Sequence, residues 1–195
     1  MVLVPSVKGT VWVVVSKTVS SLDVGSIIVA TGFDSFDPTV IPEYGYGVYP
    51  NVITAMELER LDNSAGPTIG RLVRPSDGRE PKSMAIIQCV GSREPENSYC
   101  SRVCCTSAVK NSLKMKELNP QAQISILYRD IRTFGFKELA YQEARTQGVR
   151  FFRFEEDQKP EVDVSGSSVQ VSMMDAQLLR RVRLDADLLV LSAAI

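Results

Sequence analysis

Apolar strands alternating with helices predict an α/β fold built on a parallel, three-layer sheet. Two observations carry that expectation. The runs MAIIQ (84–88), QISILY (123–128), VRFFRF (149–154) and DLLVLS (187–192) are dominated by aliphatic and aromatic residues. Strands covered on both faces show such runs, whereas half-exposed strands alternate apolar with polar residues. Stretches with helical spacing separate the first three runs, giving the strand–helix–strand–helix–strand order of a parallel sheet.

Element by element, GTVWVVVSKTV (9–19) reads as a strand. LDVGSIIVATGF (22–33) predicts a turn and then a second, buried strand, IIVA, ending at Thr31-Gly32. Residues 34–52 hold Pro38, Pro42 and Pro50 together with YGYGVYP and read as loop. Its tyrosines, Tyr44, Tyr46 and Tyr49, read as loop aromatics packed on the domain. A short helix is predicted at 54–61, because Thr54 and Glu57 form a T-x-x-E capping box that satisfies its first free amides. Residues 62–80 return to loop, with a turn at Asp77-Gly78.

From Pro81 the texture changes. After the strand at 84–88, a helix is predicted from Arg102 to Leu118, stopped at Asn119-Pro120. A second helix, 136–147, places Leu139, Ala140 and Ala144 on one face and stops at Gly148. EVDVSGSSVQVSMM reads as a hairpin about Ser165–Ser168. The expected organisation is therefore tail strands of one domain in 1–33, a linker with a short helix in 34–80, and an α/β domain in 81–195. The last buried strand runs straight into Ala193-Ala194-Ile195, so the chain is expected to be a piece of a longer protein.

Composition removes several chemistries. The chain has no histidine, so a Ser-His-Asp triad, a Cys-His dyad and histidine metal ligands are excluded. The formal net charge is -1, which provides no global field for nucleic acid or an anionic membrane. No apolar run approaches the length of a membrane span. MVLVPSVKG has no secretory pattern, and a reducing, cytoplasmic location is the expectation.

All four cysteines lie within 17 of the 195 residues, at Cys89, Cys100, Cys104 and Cys105. In a reducing compartment such clusters bind metal or do redox chemistry more often than they form disulfides. Four thiolates complete a zinc tetrahedron or hold an iron–sulfur cluster. The spacing is neither a zinc ribbon nor a ferredoxin run. Three readings follow from the residues: buried apolar thiols, a zinc site, or an iron–sulfur centre. Vicinal Cys104 and Cys105 crowd a single tetrahedron but can reach different irons, which favours the last. The helix start beside them is expected to favour thiolate over thiol. Arg93 and Arg102 flank the loop and can offset negative charge. In dinucleotide-binding units the loop after the first strand cradles pyrophosphate on G-x-G-x-x-G. Here it reads CVGSRE (89–94), with Gly91 its one glycine. Arg129 and Asp130, at the position where such domains read a ribose, are expected to be surface charges, as is the acidic run Glu155–Asp157.

The runs IQCVGSRE (87–94) and YCSRVCC (99–105) closely resemble the A-subunit family of heterodisulfide reductase, and the flavoprotein subunits of quinone-interacting membrane-bound oxidoreductases. IIVATGFDSFDP (27–38), YGYGVYPNVITAMELERL (44–61), RPSDGREPK (74–82), LYRDIRTFG (127–135) and DLLVLSAAI (187–195) extend the resemblance over about 22–195. It implies a thioredoxin-reductase-type flavoprotein in which a Rossmann-like, NAD(P)-binding-like domain is inserted into an FAD domain. Residues 81–195 would be the inserted domain and 1–33 strands of the FAD domain. It further implies a 4Fe-4S cluster on Cys89, Cys100, Cys104 and Cys105, relaying electrons to or from FAD, with Ala30, Thr31 and Gly32 near the flavin. Other redox subunits of a heterodisulfide-reductase-like complex are the implied partners. The family's FAD-binding G-x-G-x-x-G and C-x2-C-x2-C ferredoxin motifs are absent from this sequence. Tight FAD binding and turnover by this stretch alone are therefore not expected. The competing expectations are a nucleotide-binding module and a zinc-stabilised docking domain.

Overall fold

The computed structural model describes residues 9–15, 18–165 and 168–195. They fall into two units that divide between Asp34 and Ser35.

The first unit holds an antiparallel pair, β1 (Gly9–Val15) and β2 (Thr18–Val24), with Gly9 opposite Val24 and Val15 opposite Thr18. The strand expected over 9–19 is thus two strands. The IIVA segment is not the buried strand expected of it. Ile27, Ile28 and Val29 lie outside the named strands and are exposed. An apolar run favours burial, but a two-stranded hairpin has too little surface to cover it.

The second unit carries β3 (Val52–Thr54), α1 (Ala55–Asp62), β4 (Ser83–Val90), α2 (Cys104–Leu118), β5 (Gln123–Tyr128), α3 (Lys137–Thr146), β6 (Arg150–Arg153), β7 (Glu161–Ser165), β8 (Ser168–Asp175), β9 (Arg180–Ala186) and β10 (Leu188–Ala193). A five-stranded parallel sheet runs β3-β10-β4-β5-β6, and β7-β8-β9 form an antiparallel meander. Residues 34–80, expected as a linker, supply the edge strand β3 and the helix α1 that packs on the sheet. Their prolines and glycines shape the connections, while Val52 and Ile53 are buried in the sheet.

The pleat sorts the core into two layers. Met84 and Ile86 of β4, Ile124 and Ile126 of β5, and Leu188 and Val190 of β10 pack with Leu58, Val109 and Met115 of the helices. Ala85, Ile87, Leu127, Leu189 and Leu191 point the other way, onto Val169, Val171, Met173 and Leu184 of the meander. Both faces are covered, which accounts for the continuous apolar runs. β9 went unforeseen. In RRVRLDA the inward Leu184 and Ala186 alternate with exposed Arg183 and Asp185, the pattern of a half-buried strand. In α3, Ala144 is buried and Ala140 packs on the core, but Leu139 is 63% exposed.

Thr54 caps α1 as predicted. Its hydroxyl accepts from the Glu57 amide at 3.2 Å, and the Glu57 carboxylate accepts from the Thr54 amide at 2.7 Å. At the amino ends of β4 and β10, Asp187 accepts from the amides of Lys82 (2.7 Å) and Ser83 (3.1 Å) and pairs with Arg74 (3.0 Å). Arg74 also pairs with Asp77, in the turn made at Gly78. The RPSDGREPK stretch thus pins the end of the sheet remote from the cysteines.

Candidate metal centre

The order of strands along the sheet reverses beside β4. β5 and β6 follow on one side and β10 lies on the other. Open α/β sheets bind ligands outside the carboxyl ends of the strands at such a switch point. Cys89 lies at that end of β4, and Ala193 ends β10 beside it, where the amide of the following Ala194 donates to the Val90 carbonyl at 2.9 Å.

From Cys89 the chain turns sharply. Cys89, Arg93 and Arg102 adopt φ of 63°, 59° and 62°, a region that costs a non-glycine residue about 1 to 3 kcal/mol. The loop folds on itself. Glu94 and Asn97 exchange backbone hydrogen bonds, the Asn97 amide group donates to the Gly91 carbonyl, and the Arg93 amide donates to the Tyr99 carbonyl. α2 begins only at Cys104, with Val103 at its cap. Cys104 and Cys105 therefore occupy the first two helical positions and Cys100 lies outside. The helix expected from Arg102 thus begins two residues later.

All four cysteines nevertheless line one cavity of about 10 Å³, together with Arg93, Asp130 and Arg132. They are free thiols. Cys104 Sγ donates to the Ala193 carbonyl (3.9 Å), Cys105 Sγ to the Asp130 carbonyl (3.6 Å), and the Arg102 amide donates to Cys100 Sγ (3.4 Å). The sulfurs thus join the ends of β10 and β5 to the start of α2.

Burial dominates the acidity of Cys89, Cys104 and Cys105. It pushes the Cys89 thiol up against the pull of Arg93, and the Cys104 thiol up against a hydrogen bond with Ser101. It pushes Cys105 up to about 11. The thiolate preference expected from the helix start is outweighed, because desolvation penalises the charged form more than the helix amides reward it. The surroundings are cationic. Burial works against the Arg132 guanidinium, but Cys100 and Asp130 raise its pKa overall. Partial burial would raise the Asp130 carboxyl, but Arg93 and Arg132 hold it low.

Arg129 is not the surface charge expected at a strand end, whereas Asp130, its side chain 46% exposed, stays at the surface. The Arg129 side chain is 10% exposed, donates to the Arg93 carbonyl at 2.6 Å, and pairs with Glu94 and Glu156. Asp130 Oδ2 lies 2.8 Å from Arg93 Nη2 and 3.4 Å from Arg132 Nη2. The signal for them lay in LYRDIRTFG, whose place at the end of a strand gave no sign of a loop folding down on it.

Gly91 performs no phosphate-cradle role. A Cβ there would lie 2.2 Å from Phe36 Cγ. The ring of Phe36 covers this face, and the Phe36 amide is anchored to the Ala194 carbonyl at 2.7 Å. Of the tyrosines in 44–49, Tyr44 is buried in the core and Tyr49 is exposed. Ala30, Thr31 and Gly32 belong to the first unit and are exposed.

The donor set fits an anionic, thiolate-held group in its chemistry. Four thiols and three guanidiniums, those of Arg93, Arg102 and Arg132, share one lining, and Arg93 Nη1 is buried without a hydrogen-bond partner. The spacing is not that of a finished site. Among the described residues no three metal-binding side chains are grouped so as to hold an ion. Thiols raised by burial give up their protons when a metal compensates the charge.

No family model matches the chain. The A subunit of the H(2)/formate:CoB-CoM heterodisulfide,ferredoxin reductase of Methanococcus maripaludis is 48% identical over 180 residues, 90% of this chain. The iron-sulfur A subunit of the CoB--CoM heterodisulfide reductase of Methanocaldococcus jannaschii is 47% identical over 179 residues, and a Methanopyrus kandleri counterpart 53% over 135. This chain is homologous to a segment of the heterodisulfide reductase A subunit. It spans 27%, 27% and 21% of the M. maripaludis, M. jannaschii and M. kandleri relatives. Among solved structures, L-lysine 6-monooxygenase from Pseudomonas syringae aligns with 77% of this chain and 42% of its own at 12% identity, with a TM-score of 0.45. Among the described residues no helix is long and apolar enough to cross a membrane.

Proposed function

We propose that this segment serves electron transfer, with Cys89, Cys100, Cys104 and Cys105 as the ligands of a 4Fe-4S cluster. The observation that carries the proposal is the convergence of all four thiols on one cavity at the switch point of a parallel sheet. The description of a 47%-identical relative as an iron-sulfur protein supports it. When bound, such a cluster supplies a one-electron carrier. The residues of the chain provide the rest. Cys89 is held by β4, Cys104 and Cys105 by the first turn of α2, and Cys100 by the loop between them. Arg93 and Arg132 balance thiolate charge, and Arg129 fastens the loop through the Arg93 carbonyl. Electrons would pass between this centre and FAD, with Ala30, Thr31 and Gly32 contributing to the flavin site. Other subunits of a heterodisulfide-reductase-like complex would be the redox partners.

Anaerobic reconstitution with iron and sulfide tests the assignment. About four irons and four sulfides per chain, with broad visible absorbance, are expected. Cys104→Ser and Cys105→Ser should each lower the iron content. If both variants bind as much iron as the parent, the ligand assignment is wrong. One zinc per chain and no iron would replace it with the zinc-stabilised reading. A nucleotide reading is disfavoured by Phe36, which occupies the face of Gly91 that a pyrophosphate needs.

A further inference from the structure

Four ionic groups line the cysteine cavity, Arg93, Arg102, Asp130 and Arg132, and the arrangement of three of them suggests more than neutralisation. One oxygen, Asp130 Oδ2, binds two guanidiniums, Arg93 at 2.8 Å and Arg132 at 3.4 Å. The two arginines come from different segments. Arg93 belongs to the loop after β4, and Arg132 to the segment after β5. Both side chains are largely buried, at 21% and 33% exposure. The wall that carries Asp130 is tied to the loop after β4, because its neighbour Arg129 donates to the Arg93 carbonyl at 2.6 Å. Asp130 itself is 46% exposed, so charges held this way are partly desolvated, and the clamp keeps them from swinging away. Their field at the sulfurs is therefore stronger than that of solvated surface arginines.

We infer that Arg93 and Arg132, clamped by Asp130, are positioning residues that raise the reduction potential of the centre held by the four cysteines. This rests on the cluster reading above and deepens it. Reduction adds one electron, supplied by a one-electron donor, and makes or breaks no bond. It adds one negative charge to an assembly already made anionic by its thiolates. Cationic donors fixed beside the sulfurs stabilise the reduced form more than the oxidised form, because the added charge lies within their field.

The test is an anaerobic redox titration of the reconstituted chain with dithionite, followed by EPR, with iron and sulfide measured on the same samples. The variants are Arg132→Gln, Arg93→Gln and Arg132→Lys. Arg79→Gln, whose side chain is 80% exposed in the remote turn at Asp77, is the charge control. Arg132→Gln and Arg93→Gln should each keep the parent's iron content. Each should lower the reduced-to-oxidised ratio at a given ambient potential by about tenfold, or 59 mV for one electron. Arg132→Lys should recover part of the shift and Arg79→Gln should show none. Parental potentials in both glutamine variants overturn the inference and leave the cluster assignment standing. Loss of iron from Arg132→Gln overturns it too, by making the arginine a structural residue. A parent chain that takes up no iron overturns both readings.

Discussion

Gly91→Ala tests how tightly the cysteine loop is built. The added Cβ would lie 2.2, 2.3 and 2.4 Å from the Phe36 ring atoms Cγ, Cδ1 and Cδ2, and the residue would have to hold φ +74°. The left-handed backbone alone costs an alanine about 1 to 2 kcal/mol. Forcing a methyl against an anchored ring adds about 1 to 3 kcal/mol. The ring has little freedom to retreat, because the Phe36 amide is bonded to the Ala194 carbonyl at 2.7 Å. Equilibrium urea unfolding of the parent, Gly91→Ala, Phe36→Ala and the double variant separates the two costs. Gly91→Ala should lose about 2 to 5 kcal/mol in the parent but only the backbone part, about 1 to 2 kcal/mol, in the Phe36→Ala background. An equal loss in both backgrounds would refute the reasoning, since Phe36 would then not be what the glycine accommodates.

Other perturbations reach the rest of the framework. Asp187→Ala strips an acceptor from the Lys82 and Ser83 amides and a partner from Arg74. It should cost about 2 to 3 kcal/mol with the denaturant slope unchanged, and a loss below about 0.5 kcal/mol would deny the clamp any role. Tyr44 is 5% exposed, and burial pushes its hydroxyl from 10.0 up to about 12. Its stabilising share is intact below pH 10 and is lost as pH rises toward 12, in all about 3 kcal/mol. Tyr44→Phe should therefore flatten the alkaline limb of a stability–pH profile, and an unchanged limb would count against the buried hydroxyl as its cause. Thr54→Ala removes the cap of α1 and should lower the unfolding free energy by about 1 kcal/mol by the same denaturation assay.

Several features were plain before any coordinates. β4, β5 and β10 announce themselves as apolar runs because both of their faces are covered. The capping box at Thr54 and the stop of α2 at Asn119 are local hydrogen-bond chemistry, which needs no distant partner. The grouping of four cysteines within 17 residues is a fact of the chain itself. What failed involved distant neighbours. IIVA looked buried because it is apolar, but burial depends on a layer the segment cannot supply. Arg129 looked like a surface charge, yet the loop after β4 closes over it.

The sequence by itself therefore settled the class of the fold, the cap of α1, the stop of α2 and the grouping of four cysteines, since these depend on residue type and short-range spacing. Only the tertiary structure decided that strand order reverses beside Cys89, that Phe36 covers Gly91, and that Asp130 gathers two arginines against the thiols. Apart from Asp130 with Arg132, those are meetings of residues tens of positions apart, and the packing of the sheet against its two layers is what brings them together.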